Sequence, residues 1–66
     1  MIIIKDEILN KEVKEIQPKN DMDLRIKLRI FLLENGFTLL YKQTSGKTLE
    51  EIINMLEQIG YILYID

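Results

Sequence analysis

The chain of 66 residues has no cysteine, no histidine and no tryptophan, one proline and three glycines. Without cysteine no disulfide can staple the fold and no thiolate can hold a metal. Without histidine the commonest general base and zinc ligand is missing, and with it nearly all nucleophile–base pairs. No cofactor or metal site is therefore expected, and the chain reads as non-enzymatic. A strong charge of one sign is also lacking: nine Lys and Arg stand against eleven Asp and Glu, a net charge of −2, too small to imply a polyanionic or polycationic partner by itself. Long apolar runs are absent as well. Met1-Ile-Ile-Ile-Lys5 is interrupted by charge too soon for a signal peptide or membrane span, so the expectation is a cytoplasmic protein that does not associate with a membrane.

What remains is a single α+β domain over residues 1–66, with barely enough core to fold alone, so that a protein partner or homo-oligomer, such as a dimer, is expected. Met1–Lys5 reads as an opening strand. Val13–Gln17 is assigned to a strand leading through the Pro18-Lys-Asn-Asp21 turn, although Ile8, Leu9, Val13 and Ile16 also share a helical face. In the next stretch, Leu24, Ile26, Leu28 and Ile30 alternate with Arg25, Lys27 and Arg29, the period of a half-buried strand, and Asn35-Gly36 is a strong hairpin turn. The resulting fold is a mainly antiparallel sheet of four or five strands, with one amphipathic helix over residues 48–59 packed on one face. The alternative is a two-layer arrangement with a second helix at 23–35, stopped at Gly36. In such a helix Ile26, Ile30 and Leu33 point away from Leu24, Leu28, Phe31 and Leu32, so it needs cover on both sides.

The last third is plainer. Thr48-Leu-Glu-Glu51 has the spacing of a capping box, Leu49, Ile52, Ile53, Leu56 and Ile59 share a face, and Gly60 ends the helix. Tyr61–Ile65 reads as a strand that is apolar on both faces, suited to the interior of a sheet or to an interface. The expected core joins the helix face to Leu24, Ile26, Leu28, Ile30, Leu32, Phe37, Leu39 and Tyr41.

Three constellations invite a chemical reading. Ser45-Gly46-Lys47-Thr48 resembles the end of a phosphate-binding loop, but the first glycine of that motif would fall at Tyr41, so an ordinary loop and helix cap is expected. Asp21, Asp23 and Glu34 are expected to be solvated turn residues. Arg25, Lys27, Arg29 and Lys42 form a basic stripe on the outer face of the proposed hairpin, fringed by Phe31, Leu33 and Leu40. That mixture of Arg and apolar side chains suits a protein interface, and these seven residues are the candidate binding site. With Ile62 or Tyr64 beside them, Phe31, Leu33 and Leu40 form the expected face for self-association or docking.

The string Leu32-Leu-Glu-Asn-Gly-Phe-Thr-Leu39 is similar to the helix-glycine-aromatic-strand opening of HicA-type toxin ribonucleases. Those proteins depend on a histidine that this chain lacks, so the likeness implies no activity. The functional expectation is a small regulator or inhibitor that binds a larger protein. The abundance of Ile, Lys and Asn points to an AT-rich genome, such as that of a phage or other mobile element. The alternative is nucleic-acid binding through the basic stripe. Neither reading involves a small-molecule substrate.

Overall fold

The computed structural model describes all 66 residues as a three-stranded antiparallel sheet with three helices. Strands β1 (Ile2–Asp6) and β2 (Lys11–Ile16) form an N-terminal hairpin. Its turn is fixed locally: the Asp6 Oδ1 accepts hydrogen bonds from the amides of Ile8 and Leu9, at 2.9 and 3.1 Å, and Asn10 takes a positive φ of 53°, which Asn tolerates better than most side chains. Helices α1 (Asp21–Glu34), α2 (Thr38–Gln43) and α3 (Leu49–Gln58) follow, and strand β3 (Tyr61–Ile65) returns beside β1. The strand order is β2-β1-β3.

The α+β class and the helix over Thr48–Ile59 are as expected, and so are the strands at both ends of the chain. Two expectations are corrected. The sheet has three strands and not four or five, because the Leu24–Gln43 stretch forms two helices instead of a hairpin. The alternative helix at 23–35 is the one that forms, starting two residues earlier. Its start lies at Asn20, whose side chain accepts from the Asp23 amide at 2.8 Å, while the Asp23 carboxylate accepts from the Lys19 amide at 2.9 Å. The first bond satisfies an amide that the first helical turn leaves unpaired, and the second ties down the residue before the cap. At the other end Gly36, with φ +82°, occupies the left-handed position that stops a helix. Asn35-Gly36 is thus a helix stop, and Phe37 leads into α2 rather than into a strand.

Two segments of the same pattern, a helix end, a glycine and an aromatic residue, run from Leu32 to Phe37 and from Leu56 to Tyr61, and they converge in space. The Phe37 and Tyr61 rings meet edge to face with centroids 6.0 Å apart, and Phe31 meets Tyr61 in the same way at 5.1 Å. Around them the core is Ile4 and Ile16 from the sheet, Leu24, Leu28, Phe31 and Leu32 from α1, and Ile52 and Leu56 from α3. Leu24, Leu28, Leu32, Ile52 and Leu56 are buried as expected. Ile26, Ile30 and Leu39 are exposed instead, because a helical turn carries them away from the sheet.

Candidate protein-docking surface

Helix α1 is apolar on two opposite sides. Leu24, Leu28, Phe31 and Leu32 face the core. Met22, Ile26, Ile30 and Leu33 follow at helical spacing on the other side, with 70, 45, 44 and 46% of their surface exposed. Side chains three or four residues apart are neighbours on a helix, so these four make one ridge, about 17 Å long at 1.5 Å per residue. Scattered exposed apolar residues are ordinary on a protein surface, whereas a contiguous row is not.

The flanks of the ridge differ. On one side stand Arg25 and Arg29, both engaged within the chain. The Arg25 Nε donates to the Lys47 carbonyl at 2.6 Å. The Arg29 Nε donates to Thr44 Oγ1 at 2.9 Å, its Nη2 donates to the Tyr41 carbonyl at 3.3 Å, and its guanidinium lies 4.5 Å over the Tyr41 ring. Thr44, fully buried, passes the bond on by donating to the Tyr41 carbonyl at 2.6 Å. These contacts satisfy the Tyr41 carbonyl near the end of α2 and the Lys47 carbonyl in the loop before α3, and so tie α2 and that loop to α1. On the other side stand Asp23, Lys27 and Glu34. Lys27 pairs with Asp23 at 2.6 Å, and Glu34 approaches Lys14 of β2 at 3.9 Å. The Lys27 ammonium, followed by the Lys19 amide, holds the Asp23 carboxyl below its ordinary pKa. Between this flank and β2 runs a shallow groove of about 360 Å³, lined by Lys14, Glu15, Ile16, Lys27, Ile30 and Glu34.

The basic stripe therefore does not form. Arg25 and Arg29 share one side of a helix, Lys27 lies on the other flank, and Lys42 sits exposed on α2. The apolar fringe is dispersed too: Phe31 is in the core and Leu40 is half-buried against it, while Leu33 belongs to the exposed ridge. The expected face of Phe31, Leu33, Leu40 and a β3 side chain is thereby corrected, since it required a strand where α1 stands. Of the seven candidate residues, Leu33 alone lies on the ridge. The signal for the rest was present as Met22, Ile26, Ile30 and Leu33 at spacings of four, four and three, but the strict alternation around them masked it.

The phosphate-loop likeness dissolves at the same level. Ser45–Lys47 connects two helices and not a strand to a helix, and Thr48 caps α3. Its Oγ1 accepts from the Glu51 amide at 3.2 Å, and the Glu51 carboxylate accepts from the Thr48 amide at 3.0 Å. These bonds, with Lys47 nearby, hold the Glu51 carboxyl below its ordinary pKa. Asp21 and Asp23 lie at the opposite end of α1 from Glu34, so the three carboxylates do not meet, and no other group of three potential ligands forms a metal site. A second open hollow, about 450 Å³, lies between α2 and α3 against Leu40, Met55 and Ile59. No helix is long and apolar enough to cross a membrane. No family model, curated protein or solved structure matches the chain.

Proposed function

We propose that the chain is a non-catalytic protein-binding module, a small regulator or inhibitor that presents the outer ridge of α1 to a larger protein. The observation that carries this reading is the two-sided α1: a helix whose inner face completes the core has no folding requirement for a second apolar face. Met22, Ile26, Ile30 and Leu33 offer the anchors by which a helix enters an apolar groove or pairs with an amphipathic helix. The adjoining hollow beside Ile16 and Ile30 widens the surface beyond one row of side chains.

A different protein suits this ridge better than a second copy does. Antiparallel packing of two α1 helices about a twofold axis brings each flank against itself, so Arg25 and Arg29 meet their own counterparts. Parallel packing instead aligns two helix dipoles of the same sense. The cations that nucleic-acid binding would use are spread over two flanks and a second helix, and Arg25 and Arg29 already serve as internal ties. The test is affinity capture from the native host, with the wild type and an Ile26→Ser/Ile30→Ser variant as baits. A partner retained by the wild type and lost by the folded variant supports the module. Equal retention by both rules out the ridge as the docking surface.

A further inference from the structure

The two edges of the sheet are built differently. β2, at one edge, reads Lys-Glu-Val-Lys-Glu-Ile and carries an irregularity in register opposite Ile4/Lys5. Charges and bulges of this kind keep an edge from pairing with other strands. β3, at the other edge, reads Tyr-Ile-Leu-Tyr-Ile, with no charge, no proline and no bulge, and Ile65 is 80% exposed.

The free edge of β3 can be specified atom by atom. The Glu7 amide donates to the Gly60 carbonyl at 2.9 Å and the Asp66 amide to the Met1 carbonyl at 3.0 Å. Alternation along an antiparallel ladder between these two bonds assigns Ile62 and Tyr64 to the hydrogen-bonded pairs with β1. The N–H and C=O groups of Tyr61, Leu63 and Ile65 consequently point away from β1, where no strand meets them.

We propose that β3 pairs with β3 of a second copy, antiparallel about a twofold axis at Leu63, to give one continuous sheet in the order β2-β1-β3-β3-β1-β2. The outward groups are self-complementary in this register. Leu63 meets its counterpart and Tyr61 meets Ile65 of the other copy, each position both donating and accepting. On the face away from the helices, Ile62 stands opposite Tyr64 of the other copy, whose ring leans over its own β1 to bond Glu12 of β2 and so leaves the seam free for the strands to approach. No like charges are placed opposite one another within the strand. The contact is isologous and closes at two copies, whereas β3 on β2 would be open-ended and is opposed by the charges of β2.

Ile65→Pro tests the pairing, because the ring removes an outward donor and leaves the β1 ladder intact, a position where edge strands accept proline. The wild type is expected to shift with concentration from 7.9 kDa to about twice that mass in sedimentation equilibrium. Ile65→Pro is expected to stay monomeric with an unchanged circular dichroism spectrum. The Ile26→Ser/Ile30→Ser variant is expected to dimerise like the wild type, which separates this contact from the α1 ridge. A wild type monomeric at every concentration, a folded Ile65→Pro dimer, or a dimer abolished by the α1 substitutions would each overturn the proposal. Should Ile65→Pro fail to fold, amide exchange on the wild type decides. Slowing at Tyr61, Leu63 and Ile65 as the mass doubles supports the pairing, and unchanged rates there overturn it.

Discussion

Arg29 makes three attachments across the α1–α2 boundary, to Thr44 Oγ1, to the Tyr41 carbonyl and to the face of the Tyr41 ring. Removing it leaves the fully buried Thr44 without its donor, and hydrogen bonds from a charged group are among the stronger ones. Arg29→Ala is expected to cost about 1–3 kcal/mol in urea denaturation, and Arg29→Lys to recover little, because an ammonium cannot reproduce the planar fork. Gly60 is equally constrained: its φ is +97°, and an added Cβ would lie 3.2 Å from the Ile8 side chain. Gly60→Ala is expected to destabilise by more than about 1 kcal/mol, seen as a lower denaturation midpoint. The pH dependence follows from three groups. Asp23 and Glu51 have folded pKa values below their ordinary 3.8 and 4.5. Their stabilisation is full above those values and is lost as the pH falls through the lower folded ones. Tyr64, hydrogen-bonded to Glu12 at 2.6 Å, is pushed up to about 12 from 10.0, so its contribution is present below 10.0 and lost as the pH rises towards 12. Denaturation midpoints should therefore fall below about pH 4 and again above 10. Asp23→Asn is expected to flatten the acid side, and Tyr64→Phe the alkaline side.

At the scale of elements, α1 decides the architecture, and its two faces give opposite predictions. Leu28→Ala opens the buried core and is expected to cost about 2–5 kcal/mol. Ile26→Ser/Ile30→Ser touches exposed side chains and is expected to cost the isolated chain about 1 kcal/mol or less. A hairpin would place Leu28 on the same face as Ile26 and Ile30, so comparable losses would contradict the helix. The same residues explain what the sequence concealed. Leu24, Ile26, Leu28 and Ile30 alternate with cations because a helix that is apolar on opposite sides, with cations between, also alternates over two turns. Periodicity alone does not separate the two. The Asn20-x-x-Asp23 spacing and the uninterrupted run from Lys19 to Asn35, without Pro or Gly, were the discriminating signs. By contrast α3 was legible because its capping box, its single apolar face and Gly60 all agree, as were β1 and β3 from their apolar residues and flanking turns. The outer ridge of α1 was legible only as a defect of the helical alternative, the side of α1 that needed cover.

For the whole molecule, a small core leaves little stability in reserve, and the surface carries what the core does not use. The ridge of α1 and the free edge of β3 face different ways and use different chemistry, side-chain burial in one case and backbone pairing in the other. A dimer joined through β3 would therefore display two copies of α1 and raise the apparent affinity for a partner that has two sites. Whether the outer side of α1 is a protein-docking surface is decided by quantitative capture from the native host. With wild type, Ile26→Ser/Ile30→Ser and Ile65→Pro as baits, each shown to be folded, a partner is expected that binds the wild type directly once purified. The same partner should be weakened at least about tenfold (1.4 kcal/mol) by the α1 substitutions and still bind Ile65→Pro. A purified partner that binds the α1 variant as tightly as the wild type would rule out the α1 ridge as its docking surface.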